Sequence, residues 1–391
     1  MTRPAETLEA GVGGLAIEDV AVYSCQVPLP RPLLIGSARV THRQYDVVRV
    51  RTVDGAEGAA YAFGRGLPVA QIVRDALAPL LVGADASAPE RVRERLTSAF
   101  WPAADRGLFV VAVSVIDLAL WDLLGRRLDA SVADLLGRRT DAVPICGVGG
   151  YLREGDGSDT QSLQTDVEHL LALGCTAIKV VVGGGTPDED VVRLAAVREV
   201  TGDDCLLVVD AFRSFSGLAD ALARVGRLRE FNLAYLEDPF SETVPQLSSE
   251  LRRRTGVLVG LGESLSGHRA FRDLIAADAV DVVRCDATVV GGVREFMSTA
   301  ALASAHGLPV STHVHPDIHV HFAAALGHLH PAGLEYIDPG SGIDALHELL
   351  ASQLEIVGGC AIVPDRPGFG LDWDWAAVER YDQLRLEGRR S

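Results

Sequence analysis

Residues 177–210 read AIKVVVGGGTPDEDVVRLAAVREVTGDDCLLVVD. A short β-rich run, Ala177 to Val182, passes through three glycines into a helix-sized segment, Thr186 to Gly202. A second β-rich run, Cys205 to Asp210, follows. Strand, helix and strand at this spacing make one βα repeat, the unit of a parallel sheet. The three glycines lack the G-x-G-x-x-G spacing of a nucleotide loop and read as a tight βα turn, as do Gly291 and Gly292.

The same rhythm continues on both sides. From Pro144 onward the runs VPICGVGG, LAYLED, VLVGLGE, DVVRCD, PVSTH and GLEYID join the first two, each followed by a helix-sized stretch. Eight such repeats predict a (β/α)8 TIM barrel over residues 144–360. Upstream the texture differs. Residues 17–65 read as strands, with a hairpin signal at Asp54-Gly55. Residues 70–136 read as helices, including the apolar GLFVVAVSVIDLALWDLLGRRL, a candidate buried helix. Strands first and helices after predict an α+β domain over 17–143. Residues 1–16 read as a flexible tail, and 361–391 as a segment returning to that first domain.

The ends of the barrel runs carry the chemistry. In turn they present Lys179, Asp210, Glu237, Glu263, Asp286, His313 and Glu335. A barrel gathers the C-terminal ends of its strands at one mouth, so these groups are expected to converge. For any one of them a solvated loop residue or a helix cap is the plainer reading; seven in order are not explained that way. Asp210, Glu237 and Glu263 on adjacent strands would repel one another without a cation. Three oxygen ligands and no cysteine point to a hard divalent ion, Mg²⁺ before Ca²⁺ or Zn²⁺. Asp286 beside His313 would set the imidazole tautomer and raise its basicity, making His313 a candidate general base. Glu335 is read as a protonated hydrogen-bond donor or a further acid.

Bulk properties narrow the partners. The 391 residues carry 36 Lys+Arg against 53 Asp+Glu, a net charge of −17, which argues against nucleic acid or an anionic membrane. Six scattered cysteines without a CxxC read as free thiols in a reducing compartment, so a cytoplasmic protein is expected. The N-terminus has no apolar signal core, and no run of about 18 apolar residues suggests a membrane span.

These motifs resemble the enolase superfamily, in its mandelate racemase/muconate lactonizing enzyme-like subgroup. The matching pieces are GCTAIKVVVG, LLVVDAF, YLEDP, GLGES, DATVVGG, STHVHPDIHVHFAAA and LEYID; VRVRTVDG and PDRPGFG look like the family's capping domain, here 17–143 and expected to set substrate specificity, and its returning tail. The resemblance implies a Mg²⁺ held by Asp210, Glu237 and Glu263, a substrate carboxylate bound there, and removal of the proton α to it to give an enediolate. The subgroup usually shows Lys-x-Lys at the second barrel strand, the second lysine serving as base. Here Lys179, the only lysine in the chain, matches the first, which commonly faces the substrate carboxylate, and Val181 replaces the second. Arginine would be a poor substitute at 179: it is bulkier, planar and permanently charged. Phe212 stands where the family often has Asn, which makes one wall of the pocket more apolar.

With one convincing base, the Asp286–His313 pair, the favoured activity is dehydration of a hydroxy-carboxylate or acid sugar, a lyase reaction. The alternative is a racemase or epimerase in which Lys179 or Tyr151 serves the opposite face. A metallohydrolase built on His313, His315, His319 and His321 is disfavoured, because the His-x-His pair falls on the seventh strand and not the first; His319 and His321 read as packing or surface of a following helix. A carboxylate-binding homologue without turnover is the remaining reading. Cap residues Arg31, Arg39, His42 and Arg65, with Tyr151 from the barrel, are candidate contacts for a small-molecule carboxylate substrate, and a homo-oligomer is expected.

Overall fold

The computed structural model describes residues 15–35, 38–153 and 160–387. Most of the expected tail, and Gly36 and Ser37 of the cap, lie outside them. Ala16, assigned to that tail, is instead bridged to Asp85.

The cap opens with three antiparallel strands, β1 (Ile17–Ile35), β2 (Ala38–Thr52) and β3 (Glu57–Phe63). β1 and β2 run in register from Asp19↔Arg51 to Pro28↔His42, then slip before Leu33↔Val40. A two-residue strand, Leu152–Arg153, adds to the other edge of β1, so the loop after the first barrel strand is stitched to the cap.

Helix α1 (Leu108–Leu128) lies on this sheet and is buried along most of its length. It is long and apolar enough to cross a membrane, which corrects the reading that no such run exists. Its most apolar window is 78% buried inside the protein, as the central core helix of a folded domain is. Its contact with β3 is close. A Cβ built on Gly58 would lie 2.3 Å from the Ala119 carbonyl oxygen and the Leu123 nitrogen, so only glycine fits there.

The barrel strands are β4 (Ala142–Gly149), β5 (Ala177–Val181), β6 (Leu206–Asp210), β7 (Leu233–Glu237), β8 (Val259–Leu261), β9 (Val282–Cys285), β10 (Val310–Thr312) and β11 (Leu334–Tyr336). They pair in parallel in chain order from β4 to β10, and β11 returns to pair with β4. Between β10 and β11 the bonds come from the approach to β11: Val310 N–H donates to His328 O (3.0 Å) and His330 N–H to Val310 O (2.7 Å). The fold is thus an α/β barrel of TIM type with an α+β cap.

Helix α1 makes two polar junctions, one to the barrel and one to the C-terminal segment. Asp117 of α1 accepts the Val293 N–H (2.7 Å) and Ser114 Oγ accepts the Gly291 N–H (3.0 Å), which pins the glycine turn after β9. Asp122 accepts the N–H groups of Ala59 (2.9 Å) and Phe369 (2.8 Å) and pairs with Arg126 (2.8 Å). The C-terminal segment therefore closes against α1, and helix α3 (Trp375–Tyr381), numbered after α2 (Pro316–Ala325), packs on β1.

Candidate active site

The parallel register lines up the strand-end groups. Asp210 pairs with Glu237 across β6 and β7, Val208 with Lys179 across β6 and β5, and Cys146 with Glu335 across β4 and β11. Lys179 is 2% exposed. Its Nζ lies 2.7 Å from Glu237 Oε1, 3.1 Å from Glu335 Oε1 and 3.2 Å from Asp210 Oδ2. Burial works against its charge, but Glu237, Glu335 and Asp210 outweigh that and hold its pKa well above the usual lysine value. Val181 lacks any polar role and packs against the apolar core.

Arg284, in the middle of β9, is the second buried cation and was not foreseen. Its Nη2 contacts Glu335 Oε2, lies 2.9 Å from Glu237 Oε1 and 3.6 Å from Glu263 Oε2, while Nη1 donates to Ser311 Oγ (3.0 Å) and Thr312 O (2.5 Å). The signal was available: an arginine inside an apolar strand, two residues before Asp286 and so on the same face. Between Lys179 and Arg284, Glu335 is a carboxylate. Burial pushes its pKa up, yet Arg284 and then Lys179 bring it down to about 2. This corrects the reading of Glu335 as a protonated donor or an acid.

Glu237 Oε1 is shared by the two cations, whereas Glu237 Oε2 is buried with no hydrogen-bond partner among the described residues. Burial raises the pKa of Glu237 and of Asp210; Arg284 and Lys179 offset this only in part for Glu237, as Lys179 does for Asp210. Glu263 is held low instead: burial opposes ionisation, but His313, Lys179, Arg284 and Arg65 outweigh it. An orphaned carboxylate oxygen beside two more carboxylates fits a hard cation. Even so, among the described residues no three Asp, Glu, His or Cys side chains stand at metal-binding spacing. Lys179 occupies the space among Asp210, Glu237 and Glu335, so loading a metal calls for these side chains to rearrange around it.

His313 follows β10. Its Nδ1 is 2.8 Å from Asp286 Oδ2 and its Nε2 is 3.4 Å from Glu263 Oε2. Asp286 Oδ1 accepts from both the N–H and the hydroxyl of Thr288, each at 2.7 Å. Burial favours its neutral form, but the bond from His313 and the nearby imidazoles hold its carboxyl below the usual range. The carboxylate therefore accepts a hydrogen bond from Nδ1–H and leaves Nε2 able to accept a proton. His319, in α2, accepts the Ala287 N–H at Nε2 (2.9 Å) and so donates through Nδ1 to Val314 O (2.7 Å). It ties the turn after Asp286 to Val314 and His315, whose φ angles of 38° and 47° are left-handed. His319 and His321 are both fully buried, so the surface alternative for them is wrong. His315 packs against Phe63 (4.5 Å) and Tyr61 (5.0 Å), not in a histidine metal cluster.

A cavity of about 400 Å³ opens above these groups. From the barrel it is lined by Tyr151, Lys179, Asp210, Phe212, Glu263, His313 and Glu335; from the cap by Arg39, His42, Arg43, Gln44, Phe63 and Arg65. Tyr151 stands edge-on to Phe212 at 6.0 Å. Arg65, with a left-handed φ of 51°, and Arg43 both lie over Phe63. Arg31 does not reach this cavity. The slip between Pro28 and Leu33 carries it to a neighbouring one, with Arg153 and Asp166. A larger cleft of about 660 Å³, between the 55–57 turn and residues 366–372, holds none of the barrel groups. Asp238, Glu242 and Arg213 form an unforeseen ring beside Glu263. Arg213 Nη2 is 2.9 Å from Asp238 Oδ2, 2.8 Å from Glu242 Oε1 and 3.8 Å from Glu263 Oε1.

Residues 17–137 match the N-terminal domain of mandelate racemase / muconate lactonizing enzyme, and residues 162–377 match the enolase C-terminal domain-like family. The chain is 31% identical, over 93% of its length and 99% of the relative's, to 3,6-anhydro-alpha-L-galactonate cycloisomerase of Streptomyces coelicolor. Two solved structures are similar. One is a racemase from Streptomyces coelicolor with bound magnesium (TM-score 0.84, 29% identity, covering 94% of this chain and 99% of that one). The other is L-talarate/galactarate dehydratase of Salmonella typhimurium liganded with Mg and L-lyxarohydroxamate (TM-score 0.86, 27% identity, covering 98% and 97%).

Proposed function

The chain belongs to the enolase superfamily, in its mandelate racemase / muconate lactonizing enzyme branch, and from that premise we propose that it is a Mg²⁺-dependent lyase that dehydrates a hydroxy-carboxylate of the acid-sugar class. Asp210, Glu237 and Glu263 would hold the ion, with the orphaned Glu237 Oε2 as its natural first donor. Bound there, magnesium supplies the concentrated positive charge that an enediolate requires. The observation that carries the reading is His313: Nδ1 on Asp286, Nε2 turned toward Glu263.

His313 Nε2 takes the α-proton, and the C–H electron pair moves into the enediolate. Lys179, which lines the cavity, would donate a hydrogen bond to the substrate carboxylate. As the carboxylate re-forms, the pair moves to the α–β bond and the β C–O bond breaks. The imidazolium returns the proton to the departing hydroxide, so water leaves, and the enol becomes a 2-keto-3-deoxy acid by tautomerisation. One base suffices when the proton and hydroxyl share a face.

The second reading is an isomerase, a racemase or epimerase. It is supported by the likeness to a racemase and a cycloisomerase and by Tyr151 lining the cavity. Incubation with Mg²⁺ and a panel of acid sugars in D2O separates the two. A 2-keto-3-deoxy product supports the lyase; α-deuteration with the hydroxyl retained supports the isomerase. No exchange with any acid, together with tight carboxylate binding, would leave only a binding protein.

The family's small-molecule chemistry and the six free thiols support a cytoplasmic homo-oligomer acting on a small carboxylate. Light scattering in solution tests the assembly.

A further inference from the structure

Arg284 heads the fully buried side chains by size, at 1% exposure. It shares Glu237 Oε1 with Lys179, and the two cations divide Glu335 between them, Lys179 on Oε1 and Arg284 on Oε2. Counted in the ionised form that holds a metal, Asp210, Glu237, Glu263 and Glu335 face two buried cations, Lys179 and Arg284. Two negative charges are left over, the number a divalent ion neutralises. Without Arg284 three would remain; the loaded site would stay negative and repel an anionic substrate.

We infer that Arg284 is a resident counter-ion of the metal site, a positioning residue that weakens Mg²⁺ binding and leaves the loaded site neutral toward a carboxylate. The inference rests on the metal assignment above. Charge matters here more than geometry, because arginine cannot be neutralised by proton loss and the Nη1 arm of its fork is anchored on Ser311 and Thr312, outside the carboxylate cluster, while Nη2 faces the carboxylates.

The test is calorimetric titration of Mg²⁺ into the full chain without substrate. Arg284→Gln removes one positive charge within 4 Å of two proposed ligands, and Mg²⁺ should bind roughly tenfold or more tightly. A residue that merely braces Glu237 would give the opposite result, since a loosened ligand binds metal less well. The double variant Arg284→Gln/Glu335→Gln restores the charge balance and should return to within about threefold of the unaltered chain. Arg284→Lys keeps the charge, loses the fork, and should also stay within about threefold.

A folded Arg284→Gln that binds Mg²⁺ equally or more weakly overturns the inference. If that variant does not fold, Arg284→Lys or the double variant binding more than about tenfold more weakly overturns it instead. Absence of Mg²⁺ binding by the unaltered chain sinks the proposed function as well. Normal Mg²⁺ binding without tightening in Arg284→Gln sinks only this inference.

Discussion

At the residue scale, the single lysine owes its place to size and shape. Three carboxylate oxygens surround Nζ within 3.2 Å, in a pocket that leaves Lys179 2% exposed. A point charge can be shared among three partners, whereas a planar guanidinium needs more room and a fork-shaped acceptor. Lys179→Arg, though charge-conserving, is therefore expected to lower kcat about a hundredfold or more, against the scale of one lost transition-state contact; steady-state kinetics with the substrate found in the D2O screen would check it. His313→Asn should remove the general base and cost about 10²–10⁴-fold in turnover, with Mg²⁺ affinity by calorimetry nearly unchanged. Full activity in that variant would end the assignment. The acids and His313 were legible because each stands at a strand end. Arg284 shows in the sequence as a charge inside an apolar strand, but its role does not, because its partners Glu237, Glu335 and Ser311 come from other strands.

At the element scale, α1 serves as the hub between cap and barrel. Its Asp122 receives N–H groups from β3 and from the returning C-terminal segment, and burial raises its pKa despite Arg126. Asp122→Ala would leave two buried N–H donors unpaired, at a cost of about 2–4 kcal/mol; urea unfolding followed by circular dichroism measures it. Gly58→Val should be as damaging for a steric reason, since a side chain would enter the α1 backbone. The apolar pattern of α1 was readable as a buried helix. Which of its polar residues hold which turn was not, because Asp117, Asp122 and Ser114 find partners more than 60 residues away.

At the scale of the whole molecule, buried ionisable groups set the pH response. Burial lowers the pKa of His321 to about 4, with Ala133 N–H donating to its Nδ1. An unfolded histidine titrates near 6.5, so between about 6.5 and 4 the unfolded chain binds more protons. The His321 contribution to stability is full above that window and is lost as pH falls through it. Asp117 has the opposite sign: burial raises its pKa to about 7, so the folded chain holds the extra proton and stability declines as pH rises from about 4 to 7. Unfolding free energies of His321→Gln and Asp117→Asn, compared with the unaltered chain at pH 4.5 and 7, should therefore change in opposite directions. Relative to that chain, His321→Gln gains as pH falls, and Asp117→Asn gains as pH rises.

The repeat of strand and helix, the order of ionisable groups at strand ends and the cap before the barrel are all local patterns, so the amino-acid order by itself determined them. Hydrophobic period and spacing need no knowledge of distant neighbours. Only the tertiary structure decided that Glu335 lies between two cations, that Arg31 leaves the mouth, which turns the polar residues of α1 hold, and that Arg284 belongs to the site. Each of those depends on which charges and apolar surfaces meet across the fold. Coulomb energy and desolvation act through distance in space, which spacing along the chain does not encode.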